Sequence, residues 1–78
     1  MAEAYRIYGR ENCVWCDRAK ALLTARGVEF RYVALDRAEL KAFFAERPKL
    51  TPMVPQIYLG DRHIGGYAEL EASLRKES

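Results

Sequence analysis

The sequence predicts an α/β fold, a mixed four-stranded sheet with three helices packed on both faces, in the order β-α-β-α-β-β-α. Three observations predict it. Short runs rich in β-branched and aromatic residues alternate with longer segments whose apolar residues recur every three or four positions. Strands and helices in alternation stack into α/β layers. The last two strand-like runs are separated only by Gly60-Asp61, a tight turn that makes them an antiparallel hairpin. The chain has 78 residues, so a single domain, 1–78, with one modest core is expected.

Each element has a local reason. Ala4-Tyr5-Arg6-Ile7-Tyr8 reads as the first strand, ended by Gly9. From about Val14 to Arg26 the pattern is helical, with Cys16, Ala19, Leu22 and Leu23 on one face and Asp17, Arg18, Lys20 and Thr24 on the other. Gly27 follows at a natural C-cap position. Val28 to Leu35 favours a pleated, partly buried surface and forms the second strand. Asp36 stands three residues before Glu39, the spacing of a capping box. The helix it opens turns Leu40, Phe43 and Phe44 inward, and Pro48 closes it. Gln56-Ile57-Tyr58-Leu59 is the third strand and Arg62-His63-Ile64 the fourth. Gly65-Gly66 breaks the chain before a last helix, whose inner face carries Tyr67, Leu70 and Leu74. The first two strands are parallel, joined by a right-handed crossover. Fraying is expected at Arg75-Lys76-Glu77-Ser78.

Charge and hydropathy narrow the function. The net charge is +2 and the basic residues are spread along the chain, so no nucleic-acid partner is expected. No apolar run reaches membrane-spanning length, and Met1-Ala2-Glu3 leads into the first strand without a signal-peptide pattern. No membrane partner and a cytoplasmic, reducing location are therefore expected. In such a setting a cysteine pair is more often catalytic or metal-binding than a permanent crosslink.

The chain has two cysteines, Cys13 and Cys16, in the run Cys13-Val14-Trp15-Cys16. A zinc site commonly needs two separated ligand pairs, whereas His63 is the single histidine here, so no metal is expected. A structural disulfide would close a very short loop with little entropic leverage and would face cytosolic reductants. The redox reading fits the position. Cys13 falls where the first strand ends and the first helix begins, where free N–H groups and the helix dipole favour an anion such as a thiolate. Arg10 adds positive charge nearby, and Glu11 opposes it. Cys16 lies one turn further in on the apolar face. One sulfur is then placed to attack and the other to resolve.

Four stretches resemble a dithiol glutaredoxin of the short bacterial and phage type. They are Tyr8-Gly9-Arg10, Cys13-Val14-Trp15-Cys16, Val54-Pro55-Gln56-Ile57-Tyr58, and Gly60-Asp61-Arg62-His63-Ile64-Gly65-Gly66-Tyr67. Together they span nearly the whole chain. The resemblance implies a thioredoxin fold and a glutathione-dependent thiol–disulfide oxidoreductase that reduces protein disulfides and glutathione mixed disulfides through Cys13 and Cys16. It implies a cis bond before Pro55, which faces the cysteine pair and leaves the backbone of Val54 to pair with an extended cysteine-bearing peptide. It also implies that Gly66, Tyr67 and Ala68 open the last helix and present N–H groups to the γ-glutamyl carboxylate. Glu69 is expected at the glutathione amine and Arg10 at the glycyl carboxylate, with Lys49 read as solvated surface charge.

Trp15 is expected as an apolar wall of the substrate groove rather than a local hydrophobic cover. Tyr67 is divided between groove and core. Met53 is expected on the rim, where its flexible thioether tolerates varied partners. Phe43 and Phe44 are read as core, and His63 as an exposed hairpin residue without a catalytic role. The chain departs from the family pattern at Val14, Trp15, Met53 and Ala68-Glu69, where proline, tyrosine, threonine, and a hydroxyl or cysteine residue followed by aspartate are usual.

The implied partners are glutathione as reducing co-substrate, with no permanent cofactor, and disulfide-containing or glutathionylated proteins, ribonucleotide reductase among them. A monomer is expected. One alternative keeps the fold but draws electrons from thioredoxin reductase for ribonucleotide reductase, with poor glutathione binding. Another is a dimer holding a [2Fe–2S] cluster through the first cysteine and glutathione, against which Cys16 competes by forming the disulfide.

Overall fold

A computed structural model describes residues 4–76. Its elements are β1 (Tyr5–Gly9), α1 (Val14–Ala25), β2 (Phe30–Ala34), α2 (Arg37–Ala45), β3 (Gln56–Leu59), β4 (Arg62–Gly65) and α3 (Tyr67–Lys76). The order is the expected one. The lead-in at Met1–Glu3 lies outside the described residues, as do residues 77 and 78 of the expected frayed end. Arg75 and Lys76 belong to α3 rather than to a frayed tail.

The sheet order is β2-β1-β3-β4. β1 runs parallel to β2, from Tyr5 opposite Phe30 to Gly9 opposite Ala34. β3 runs antiparallel to β1, with Ile7 opposite Ile57, and β4 antiparallel to β3 with a bulge between Ile57 and Tyr58. This mixed sheet with three helices is the thioredoxin fold that the resemblance implies.

Alternation along β1 builds two layers. Tyr5, Ile7 and Gly9 are buried on one face, where Ile7 and Ile57 join Ala19 and Leu23 of α1 and Leu70 and Leu74 of α3 in the main core. Tyr8 points to the opposite face and stacks on Phe43 of α2, with ring centroids 4.8 Å apart. Tyr58 meets Tyr8 edge-on at 5.7 Å, in a geometry aromatic pairs favour. The second layer is therefore a thin aromatic one. Phe43 is buried, but Leu40 and Phe44 stay half-buried because a nine-residue helix covers too little of this face to enclose them.

The caps explain the boundaries. Gly27 has φ +68° and ends α1 in a Schellman arrangement. Its N–H donates to Thr24 O and that of Val28 to Leu23 O. Asp36 Oδ1 accepts from Glu39 N–H at 2.8 Å and Glu39 Oε1 from Asp36 N–H at 2.9 Å, completing the capping box. α2 ends at Ala45, ahead of Pro48, with the Glu46 N–H still bonded to Ala42 O. β2 is shorter than the Val28–Leu35 run, because the Val28 N–H is spent on the α1 cap. Among the described residues no helix is long and apolar enough to cross a membrane.

Candidate active site

The site starts at the end of β1. Asn12 has φ 54°, a left-handed conformation that asparagine tolerates better than most residues. It turns the chain so that Cys13, in an extended conformation, becomes the N-cap of α1. Cys13 Sγ accepts the Cys16 N–H at 3.3 Å, standing where a serine or aspartate oxygen commonly stands. A free helix N–H thus already points at this sulfur. Cys13 retains 5% of its surface and Cys16 none, so the first cysteine is the one a substrate can reach. Both are free thiols.

Burial pushes the Cys16 thiol up, and its hydrogen bonding with Cys13 adds to this. The Arg10 backbone and the Tyr32 hydroxyl act in the opposite sense. Gly9 lets these groups meet. A Cβ there would lie 2.6 Å from Cys16 Sγ and 2.6 Å from Tyr32 Oη.

A groove of about 730 Å³ reaches Trp15, which stands between the two cysteines in the chain. Trp15 forms one wall, half-exposed, with its ring 5.4 Å from that of Tyr67 and the Arg18 guanidinium over the indole at 4.7 Å from its centroid. Tyr67 serves both places, lining the groove and packing on the core. Met53, Val54 and Pro55 form a second side, with the Val54–Pro55 bond cis. Gly66, Ala68 and Glu69 close the third side at the start of α3.

The three charged residues around the site do not all sit where they are expected. Arg10 lies outside this groove. Its guanidinium donates to Glu11 O at 3.1 Å and Asn12 O at 2.8 Å, and it lines a separate cavity with Asp36 and Leu40. Lys49, read as plain surface charge, lines the groove. Glu69 folds back on its own helix, and its Oε1 accepts the Gly66 N–H at 2.8 Å. A carboxylate of the chain itself therefore holds the helix N-terminus.

Gln56 was not singled out in the sequence. It is buried, and its Nε2 donates to Met53 O at 2.7 Å and Thr51 O at 3.2 Å, pinning the loop before Pro55. Its Oε1 lies 2.7 Å from His63 Nε2. Because the amide nitrogen is committed to two carbonyls, the histidine nitrogen is the donor in that contact. His63 is exposed as a residue, yet it braces the groove through Gln56. The available signal was a polar residue at the start of an otherwise apolar strand.

The family model described as Glutaredoxin matches residues 6–64. A Pseudomonas aeruginosa protein named Glutaredoxin is 43% identical over 67 residues, covering 85% of this chain and 79% of that protein. The crystal structure of Glutaredoxin 1 from Francisella tularensis, complexed with cacodylate, superimposes with a TM-score of 0.84 at 34% identity, covering 97% of this chain and 96% of that one. The buckwheat glutaredoxin–glutathione complex superimposes with a TM-score of 0.79 at 22% identity over 96% of this chain and 71% of that one, a likeness of fold.

Proposed function

The chain belongs to the glutaredoxin family and carries a thiol–disulfide oxidoreductase role, and from that premise we propose that it is a glutathione-dependent enzyme acting through Cys13 and Cys16. The observation that carries the proposal is the division between the two sulfurs. Cys13 Sγ takes a helix N–H and keeps a small exposed area, while Cys16 is fully enclosed one turn behind it.

The cycle follows from that division. The Cys13 thiolate attacks a substrate disulfide, forming a mixed disulfide and expelling the other sulfur as a thiolate, which takes a proton from solvent. With a protein disulfide, the Cys16 thiolate then attacks Cys13 Sγ and expels the second substrate thiolate. A Cys13–Cys16 disulfide remains. One glutathione thiolate opens it at Cys13, and a second removes the first as oxidised glutathione. With a glutathionylated protein, Cys13 takes the glutathione directly and a second glutathione releases it, so Cys16 is not needed.

The groove suits an extended peptide with an anionic end. Trp15 and Pro55 line it with apolar surface; in this reading the Val54 backbone pairs with the peptide and the Gly66, Tyr67 and Ala68 N–H groups receive the γ-glutamyl carboxylate. Glu69 must release the Gly66 N–H for that carboxylate to bind there, which leaves its own charge beside the ligand amine. Lys49 takes the place at the glycyl carboxylate first expected of Arg10. The buckwheat structural relative was solved with glutathione, which supports the choice of ligand. The protein is proposed to work as a monomer in the reducing cytoplasm, on glutathionylated and disulfide-bonded proteins, with ribonucleotide reductase as one acceptor.

The test is steady-state reduction of a glutathione mixed disulfide, with electrons supplied either by glutathione and glutathione reductase or by thioredoxin reductase alone. Turnover only in the first arm is expected. Turnover only in the second would retain the fold and replace the partner.

A further inference from the structure

Cys16 must alternate between a buried thiol and a thiolate, yet its surroundings are largely apolar. It has no exposed surface, and the core residues Ile7 and Ala19 share its face of the sheet. An unassisted anion there would be costly. Besides Cys13, the polar side chain that approaches is on β2. Cys16 Sγ and Tyr32 Oη each lie 2.6 Å from the position a Gly9 Cβ would take, so sulfur and phenol oxygen are no more than twice that distance apart. The Tyr32 hydroxyl currently donates to Arg10 O at 2.7 Å. Its ring is held under Lys20 Nζ at 4.1 Å from the centroid, and Lys20 is paired with Asp17 at 3.3 Å.

We propose that Tyr32 is a positioning residue for the resolving cysteine, its hydroxyl turning between Arg10 O and Cys16 Sγ as that sulfur gains and loses charge. The proposal rests on the dithiol cycle above. When the glutathione thiolate attacks Cys13 Sγ of the Cys13–Cys16 disulfide, a new S–S bond forms, the Cys13–Cys16 bond breaks, and the electron pair leaves on Cys16 Sγ. The Tyr32 O–H then rotates from the carbonyl to the departing thiolate, which later takes a proton from water. In the resolving step the same hydrogen bond favours the Cys16 thiolate before it attacks. The tyrosine itself gives up no proton. Burial holds its hydroxyl well above the usual phenol range, which keeps it a donor throughout.

The groups facing Cys16 are few. They are Cys13 at the start of α1, the Arg10 backbone in the loop after β1, and Tyr32 on β2, with Asp17 and Lys20 of α1 around the tyrosine. Removing one hydrogen bond to a charged group from such a site costs about tenfold in the ionisation it supports.

The test uses Tyr32→Phe, which keeps the ring and its packing. In a Cys13→Ser background Cys16 is the lone thiol, and its ionisation is read by ultraviolet thiolate absorbance against pH, with no turnover required. The Cys16 ionisation constant is expected to fall about tenfold. Reduction of a protein disulfide should slow by a similar factor. Deglutathionylation by Cys16→Ser should be unaffected by the added Tyr32→Phe. An unchanged Cys16 ionisation overturns the proposal even if turnover falls. Equal slowing of the dithiol and single-cysteine reactions also overturns it, since Tyr32 would then act by anchoring the Arg10 loop that leads to Cys13. If glutathione proves the wrong electron source, the ionisation measurement still decides the role of Tyr32.

Discussion

Gly9 offers a direct perturbation of the packing behind the cysteine pair. In Gly9→Ala the added methyl would sit 2.6 Å from Cys16 Sγ, 2.6 Å from Tyr32 Oη and 3.2 Å from Tyr32 Cε1. Cys16 cannot retreat, because it is fully buried between β1 and α1. Tyr32 can move only by giving up its bond to Arg10 O. Overpacking of this kind costs about 1–3 kcal/mol. For a domain of this size each kcal/mol lowers Tm by about 4–8 °C. Thermal unfolding of the reduced protein followed by circular dichroism should therefore show a loss of at least about 4 °C. Below the new Tm, reduction of protein disulfides should be impaired more than deglutathionylation, since the sulfur the added methyl crowds is that of Cys16. A Tm within about 1 °C of the parent, with both reactions unchanged, would refute the close approach of β1, Cys16 and Tyr32.

Three further outcomes follow from the same geometry. Asp36→Ala removes one half of a complete capping box and should cost about 1 kcal/mol, read as a lower urea midpoint with an unchanged slope. Gln56→Leu unpins Thr51 O and Met53 O and leaves His63 without its partner; a loss of about 1–3 kcal/mol is expected, with poorer binding of glutathione mixed disulfides in steady-state kinetics. Reduced protein should lose stability as pH rises above the ordinary thiol value of 9.0. Burial raises the folded Cys16 value, so the unfolded chain releases its proton first; the contribution is fully present below the unfolded value and disappears as pH climbs through the folded one. Tyr32 adds a loss of the same sign above its ordinary value of 10.0. Urea midpoints at successive pH steps would show this, and Cys16→Ser should remove the earlier part of the decline.

What could be read from the sequence was local. The Asp36/Glu39 capping box, the Gly27 cap, the Gly60-Asp61 hairpin and the start of α1 at Cys13 each depend on residues within a few positions of one another. The main core was legible for the same reason, since Ala19, Leu23, Leu70 and Leu74 repeat at helical spacing. The rest depends on where long side chains turn and on what another strand brings near. Arg10 reaches back to its own loop carbonyls instead of forward to the groove. Glu69 has enough methylenes to return to the Gly66 N–H, a geometry no spacing rule distinguishes from pointing outward. Gln56 and His63 meet across a hairpin whose register is shifted by a bulge. Tyr32 approaches Cys16 only because β2 pairs with β1 in one register and Gly9 lacks a side chain. Leu40 and Phe44 are less buried than their inward spacing predicts, because periodicity gives a helix its inner face but not how much surface lies opposite it.

The division of labour between the two sulfurs is the central claim, and one paired assay tests it most directly. A protein disulfide and a glutathionylated peptide would be turned over by the parent, Cys13→Ser and Cys16→Ser proteins, with glutathione and glutathione reductase supplying electrons. The account predicts that Cys13→Ser abolishes both reactions, while Cys16→Ser stops the first and retains the second. Retained turnover in Cys13→Ser, or equal loss of both reactions in Cys16→Ser, would contradict it.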